Sequence, residues 1–135
     1  MTHERNAAGI TGYDSIEQAL KDFPPDPQQQ AAGFELQQRV RAILPQIAAN
    51  REQAEADRKV PEANIALLRE AGFFRALQPK AYGGYEVAVE NYCPLIVDIA
   101  EACASTAWVS GLLAQHNFGL GLMSKEVQDE VWADP

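Results

Sequence analysis

Apolar residues recur at intervals of three and four through most of this chain, the spacing that places them on one face of a helix. From about Glu35 this pattern predicts a helix, which Pro45 should bend because proline removes a backbone donor. Its continuation over residues 48–59 is rich in Ala, Glu, Gln and Arg, and we expect it to face solvent. The next helix should start with Pro61 and end at Gly72, which suits the left-handed conformation at a helix C-terminus.

The second half of the chain carries the pattern of three more helices. Residues 89–104 keep the apolar spacing around Pro94, residues 105–123 form a proline-free apolar stretch, and Ser124 can cap a final helix that runs to Trp132. No internal repeat occurs, and no alternating run has the length of a strand. The pattern therefore predicts an all-α fold, a helical bundle of five or six helices with short connections.

The beginning of the chain lacks a sustained pattern, and we predict a flexible segment over residues 1–33. Within it, Ser15-Ile-Glu-Gln has the form of a capping box, which predicts a short helix from Ser15 to Phe23. Prolines follow, and we interpret the polar segment Gln28–Gln30 as a linker. The predicted helical domain then covers residues 34–135.

Charge and composition narrow the class of protein. The net charge is −8, and without a cluster of Lys and Arg the chain has no surface to neutralise the phosphates of a nucleic acid. No apolar run approaches the roughly 18 residues of a membrane span, and the N-terminus lacks the apolar core of a signal peptide. Cys93 and Cys103 would lie about 15 Å apart along one helix, too far to bridge, so we expect small buried hydrophobes. Together these features predict a cytoplasmic protein in a reducing compartment.

Candidate chemistry concentrates in residues 105–123. Trp108, Leu112 and His116 stand at i, i+4 and i+8, so they share one stripe of a helix over about 12 Å. That length would accommodate a planar heterocycle and a small aromatic ring side by side. Polar residues lie in the same stretch, and any that are buried need partners; they are Ser105, Thr106, Ser110, Gln115 and Asn117. The simpler alternative is that His116 is a satisfied core or interface histidine and that Trp108 only packs.

The sequence contains no pattern typical of a metal site or of a nucleophilic catalytic site. His3 is the only other histidine, and no cluster has the spacing of metal ligands, so no metal is expected. No Gly-x-Ser-x-Gly elbow and no Cys–His pair occurs, and Leu113 stands where a di-iron bundle would carry glutamate. The loop around Tyr82, Gly83 and Gly84 could border a pocket, but the pair of glycines favours a simple tight turn.

Several separate runs, in the right order, resemble the N-terminal helical domain of the acyl-CoA dehydrogenase superfamily. The first runs are Val60-Pro61-Glu62, Leu67-Leu68-Arg69-Glu70-Ala71-Gly72-Phe73 and Gln78-Pro79-Lys80-Ala81-Tyr82-Gly83-Gly84. Further runs resemble the oxygenase components of two-component flavin-dependent monooxygenases, of the 4-hydroxyphenylacetate 3-monooxygenase and 3-hydroxy-secoandrostane hydroxylase type. These runs are Ala104-Ser105-Thr106-Ala107-Trp108, Leu113-Ala114-Gln115-His116 and Gln128-Asp129-Glu130-Val131-Trp132.

The resemblance implies a reduced flavin, FAD or FMN, that a separate flavin reductase supplies. It implies the insertion of one oxygen atom from O2 into a small phenolic substrate through a C4a-hydroperoxyflavin, in a homotetramer. Trp108 matches the tryptophan that lies against the flavin, and His116 matches the histidine that approaches the substrate phenol. We therefore expect Trp108 to bind the cofactor and His116 to be both substrate-binding and catalytic. In this family a β-barrel domain and a C-terminal four-helix bundle follow, so we expect this chain to be part of a longer protein.

Two alternative functions stay open. The chain could belong to an acyl-CoA dehydrogenase, which carries out FAD-dependent desaturation of a thioester, because the catalytic carboxylate would lie in the absent bundle. It could also be a catalytically inactive helical fragment that binds a partner through exposed apolar faces. His116 following the Ser-Thr-Ala-Trp run favours the phenol hydroxylase.

Overall fold

The structure is a computed structural model that describes Pro24 and residues 26–133. Every regular element in this part of the chain is a helix, which confirms the all-α prediction. Its α-helices, numbered here in chain order, are α1 (Pro27–Ala49), α2 (Arg51–Asp57), α3 (Glu62–Ala71), α4 (Val89–Ala102), α5 (Ala104–Gly121) and α6 (Lys125–Val131). Two short 3-10 turns, Phe73–Arg75 and Lys80–Tyr82, connect α3 to α4.

One apolar core lies between α1, α3, α4 and α5. The largest apolar side chains without exposed surface are Leu36, Val40, Ile47, Leu68, Phe73, Leu95 and Ile99. Those from α1 recur at four and seven residues and those from α4 at four, which is the predicted helical stripe. Helix α4 packs against both α1 and α5, so α5 lies at one side of the bundle.

The first described helix begins earlier than the pattern predicts. Asp26 caps α1, because its Oδ1 accepts a hydrogen bond of 2.7 Å from the backbone N–H of Gln28, and Pro27 follows at the first helical position. The interpretation of Gln28–Gln30 as a linker is therefore wrong, and the predicted division after residue 33 falls inside α1. The short helix predicted from Ser15 lies outside the described residues.

The predicted solvent-facing continuation of α1 exists, but a break at Asn50 makes it a separate helix, α2, in which Ala54 is the one buried residue. Pro61 is the N-cap of α3 and not its first helical residue, so the predicted start is early by one position. Gly72 ends α3 with φ of +87°, the left-handed conformation expected of it.

The cysteines are both free, and only one behaves as predicted. Cys103 is buried at the corner between α4 and α5, whereas Cys93 is exposed on α4. The expectation of two buried hydrophobes is therefore wrong for Cys93, which lies on the outer side of its helix. None of the described helices is both long and apolar enough to span a membrane.

Candidate functional site on helix α5

Helix α5 turns its small residues inward and its large apolar residues outward. Its buried residues are Thr106, Ala107, Ser110, Gly111 and Ala114. Its exposed large apolar residues are Trp108, Val109, Leu112, Leu113 and Phe118. Small inward residues let α4 approach closely, since a Cβ added at Gly111 would lie 2.9 Å from Cδ1 of Ile96. Large apolar groups on the outside are typical of a helix that binds a ligand or another layer of protein.

Trp108 presents its ring to the outside of the bundle. The residue is 77% exposed, so it is not part of the core. It lines a hollow of about 240 Å³ between α4 and α5, together with Ile96, Gly111, Leu112 and Gln115. An exposed indole beside an apolar hollow is a surface on which a planar aromatic group can stack.

His116 lies two turns further along and is also exposed. Its Nδ1 is 2.6 Å from the carbonyl oxygen of Leu112, one turn back in the same helix. A carbonyl oxygen can only accept, so we infer that Nδ1 carries the proton in the neutral ring. The other nitrogen, Nε2, is then free to accept a hydrogen bond or a proton from a ligand.

The hollow beside His116 is larger and mostly apolar. It measures about 650 Å³ and is lined by Leu77, Val89, Tyr92, Cys93, Gln115, His116, Phe118, Gly119, Leu120 and Met123. Tyr92 and Gln115 also line the Trp108 hollow, so the two depressions adjoin. The predicted stripe therefore faces outward along two neighbouring hollows.

Tyr92 forms the wall between the two hollows without offering a reactive group. Its hydroxyl donates a hydrogen bond of 2.9 Å to the carbonyl of Gly111. Burial raises the pKa of Tyr92 to about 12, with a smaller contribution from the neighbouring Cys93. The phenol therefore stays neutral at physiological pH, and its hydroxyl remains on the Gly111 carbonyl.

Three of the polar residues noted in the sequence are structural. Thr106 accepts a hydrogen bond of 3.0 Å from Asn64, Ser110 donates to the carbonyl of Thr106 at 2.7 Å, and Asn117 donates to the carbonyl of Phe74 at 2.8 Å. Each has its partner within the bundle, so none is directed at a ligand.

A second groove, which the sequence pattern did not predict, lies along another face of α5. It measures about 1090 Å³, and its lining from α5 includes Ser105, Val109 and Leu113. The spacing of these three residues at i, i+4 and i+8 is the signal that could have predicted this groove. Ser105 lines this groove, where its Oγ lies 3.3 Å from Sγ of Cys103.

The glycine loop is a tight turn held by α6. The Tyr82 hydroxyl donates to Oδ1 of Asp129 at 2.6 Å, and its ring lies 4.8 Å from that of Trp132. Gly83 has φ of +81°, and a Cβ at Gly84 would lie 1.9 Å from a backbone oxygen. Tyr82 lines neither of the adjoining hollows. Among residues 26–133 no group of His, Cys, Asp and Glu could hold a metal ion.

Comparison with known proteins identifies the fold and its relatives. The family described as acyl-CoA dehydrogenase, N-terminal domain, matches residues 31–131. Among solved structures, the crystal structure of 3-HSA hydroxylase from Rhodococcus sp. RHA1 superposes with a TM-score of 0.70 at 38% identity, covering 74% of this chain and 26% of that one.

Similar curated proteins are oxygenase components. The p-hydroxyphenylacetate 3-hydroxylase oxygenase component of Acinetobacter baumannii is 46% identical over 101 residues, 75% of this chain and 24% of that protein. The oxygenase subunit of a flavin-dependent monooxygenase of Rhodococcus jostii is 38% identical over 97 residues, 72% and 25% of the two chains. The FADH(2)-dependent resorcinol hydroxylase oxygenase component of Rhizobium sp. is 34% identical over 108 residues, which are 80% of this chain and 26% of that protein. The chain thus spans about a quarter of the length of these relatives.

Proposed function

This chain belongs to the acyl-CoA dehydrogenase family through its N-terminal domain, and from that premise we propose that it serves a flavin-dependent aromatic hydroxylase. In this proposal the longer protein uses reduced flavin and O2 to hydroxylate a small phenol. A separate reductase supplies the reduced flavin, and the oxygenase assembles as a homotetramer. The likeness to three oxygenase components supports this assignment.

The observation that carries the proposal is the placement of two aromatic side chains on α5. Trp108 and His116 both face away from the bundle, and their hollows share Tyr92 and Gln115. Either ring buried in the core would have excluded the site. Instead, the chain offers an indole for stacking and an imidazole two turns away, on an apolar surface.

Trp108 fits a flavin by its exposure and its surroundings. The indole has a free face, and the apolar atoms of Ile96 and Leu112 border the same hollow. A flat, largely apolar ring system would bury its own surface and that of the indole together. A reduced flavin held here would supply the two electrons that activate O2, so that one oxygen atom enters the substrate and the other leaves as water.

His116 would act on the phenol. Its Nδ1–H stays on the Leu112 carbonyl, so Nε2 accepts the proton of the substrate hydroxyl. Moving that proton toward Nε2 gives the substrate phenolate character and raises the electron density of its ring. A positioned base of this kind contributes about 10²–10⁴-fold in rate.

The lining of the His116 hollow would keep water away from the reaction. Its apolar side chains, Leu77, Val89, Phe118, Leu120 and Met123, come from α4, α5 and the adjacent loops. Excluding water strengthens the hydrogen bond to His116 and limits side reactions. We propose that the rest of the longer protein closes this open side.

Thioester desaturation is the weaker candidate. The relatives described above are named as hydroxylases and a monooxygenase, which does not favour a dehydrogenase. A free imidazole on an apolar wall also suits a phenol better than a thioester, which has no acidic hydroxyl to donate.

The test uses the complete reading frame that contains these residues, purified with a flavin reductase and supplied with a panel of phenols. We expect phenol-dependent O2 consumption and a product that gains one oxygen atom. His116→Gln, which keeps a polar side chain but cannot act as a base, should lower hydroxylation about 10²–10⁴-fold near neutral pH and release hydrogen peroxide instead. Its activity should recover as the pH approaches the pKa of the phenol, about 10, because the substrate then ionises by itself.

His3→Gln is the matched control, because it makes the same substitution at the other histidine of the chain. It should leave coupling and turnover unchanged. Normal turnover and coupling in His116→Gln would refute the role of His116, and desaturation of an acyl thioester without phenol hydroxylation would refute the proposed function. Sedimentation of the same preparation tests the tetramer.

A further inference from the structure

Hydrophobic burial alone does not fix the rotation of α5 about its axis. The helix carries large apolar residues on its outer side and small residues on its inner side. Rotating the helix by one residue, about 100°, would replace some apolar residues on its inner side by other apolar residues. The cost of burying polar groups would therefore not prevent this rotation. The close approach of Ile96 to Gly111 opposes large inner side chains, and a directional polar contact would fix the rotation more specifically.

A chain of amides and hydroxyls, buried at Asn64, Thr106 and Ser110, supplies that specificity. Asn50, at the break between α1 and α2, donates from Nδ2 to Oδ1 of Asn64 on α3 at 2.8 Å. Asn64 in turn donates from Nδ2 to Oγ1 of Thr106 on α5 at 3.0 Å. Asn64 and Thr106 have no exposed surface, so this contact cannot be replaced by water. Ser110 extends the chain one turn along α5.

The residue after Asn50 binds the end of α4, directly before the start of α5. Arg51 donates from its guanidinium to the carbonyls of Glu101 and Ala102, at 2.8 Å and 2.9 Å. These carbonyls end α4, where they lack helical partners. The break between α1 and α2 thus directs two consecutive side chains to the corner from which α5 starts.

We propose that Asn64 is a positioning residue, which sets the rotation of α5 through Thr106 and so presents Trp108 and His116 on the outer side. At about 100° per residue, the buried residues of α5 occupy an arc of about 140° that starts at Thr106, whereas Trp108 lies at about 200° and His116 at about 280°. Fixing Thr106 toward α3 therefore directs both rings away from the bundle. A single buried polar pair sets the register of some coiled coils in the same way.

The positioning role concerns the geometry of this chain and can be tested without catalysis. The effect of this positioning on hydroxylation rests on the proposed function, but the test of the positioning role does not. A failure of one is therefore distinguishable from a failure of the other.

The test follows the Trp108 ring directly in the 135-residue chain. The chain is labelled with 5-fluorotryptophan in a Trp132→Phe background, so that Trp108 gives the one ¹⁹F resonance. Thr106→Val keeps the side-chain shape but loses the acceptor, and Asn64→Leu removes the donor. In both variants we expect the single resonance to split or broaden as α5 samples other rotations, while circular dichroism shows that the protein stays folded.

Two controls separate positioning from general loss of stability. Thr106→Ser keeps the hydroxyl and should restore one sharp resonance at the original position. Val40→Ala removes core volume on α1, far from the polar chain, and should lower the unfolding midpoint without changing the resonance. A sharp, unshifted Trp108 resonance in folded Thr106→Val and Asn64→Leu would overturn the proposal.

If the buried variants do not fold, Asn50→Ala provides a milder test. Asn50 is half-buried, and this change releases Asn64 from one side only. We expect broadening of the Trp108 resonance, and an unchanged line width would count against the positioning role.

Discussion

Replacing Tyr92 by phenylalanine should destabilise the protein at neutral pH and stabilise it at high pH. Tyr92 is 7% exposed, and its hydroxyl donates to the Gly111 carbonyl at 2.9 Å. Burial raises its pKa to about 12 from the ordinary value of 10.0. The same buried hydroxyl thus stabilises the fold while it is protonated and opposes the fold once the solution favours the phenolate.

The size of both effects follows from the structure. Losing one buried hydrogen bond costs about 1 kcal/mol, so below pH 10 the free energy of unfolding of Tyr92→Phe should be lower than that of the parent by this amount. Because the pKa is raised in the folded state, Tyr92 ionises first in the unfolded chain, so stability is lost as the pH rises from about 10 toward about 12. At about 1.4 kcal/mol for each pKa unit, the loss reaches roughly 3 kcal/mol. The two proteins should therefore be equally stable near pH 11.

Urea unfolding of both proteins, from about pH 8 to about pH 11.5, measures the crossing, because other titrating groups contribute equally to each. Tyr82→Phe is the control, since Tyr82 is at the surface and its pKa is raised mainly by its hydrogen bond to Asp129. It should not give a crossing of this size. Stability curves for Tyr92→Phe and the parent that stay parallel up to about pH 11.5 would refute the burial argument.

Two further predictions concern the glycine loop and the ion pair of α4. Gly83→Ala should lower the free energy of unfolding by about 1–2 kcal/mol, because φ is +81° although the space beside the residue is open. Gly84→Ala should lower it further, because the new Cβ would lie 1.9 Å from the Gln78 carbonyl oxygen. Thermal melts of the two variants give the order, and equal midpoints would contradict it. Asp98 accepts a hydrogen bond of 2.8 Å from Arg41, and this contact lowers the pKa of the Asp98 carboxyl. The ion pair therefore stabilises the fold at neutral pH, and this stabilisation is lost as the pH falls through the lowered pKa. Asp98→Asn should therefore flatten the acid side of the stability profile, and an unchanged profile would show that the pair contributes nothing.

The sequence predicted the parts of the fold that depend on local spacing. Helix α5 was expected over residues 105–123 and occurs over Ala104–Gly121, because an uninterrupted apolar stretch has few other ways to satisfy its backbone. The end of α3 at Gly72 followed from its freedom to adopt positive φ. The start of α1 differs from the prediction because proline usually interrupts a helix, whereas Pro27 directly after the N-cap Asp26 begins one.

The candidate site was only partly predictable, because its geometry depends on partners far away in the chain. The spacing of Trp108 and His116 placed both on one stripe, but it could not show that this stripe faces outward. That outcome depends on Thr106 meeting Asn64, 42 residues away, and no local pattern encodes such a pair. The exposure of Cys93 was missed for the same reason, since periodicity alone does not tell which apolar face is covered.

The outward side of α5 links folding to the proposed chemistry. An indole has roughly 200 Å² of surface, and covering the 77% of Trp108 that is exposed would contribute about 4 kcal/mol. This free energy does not stabilise the bundle itself, because the small inner residues of α5, and not Trp108, make the contacts with α3 and α4. It stays available to whatever covers the ring. If that is the flavin, then the apolar surface left open by folding is the source of its binding energy, and rotating α5 by one residue would remove the indole from the hollow where that energy is gained.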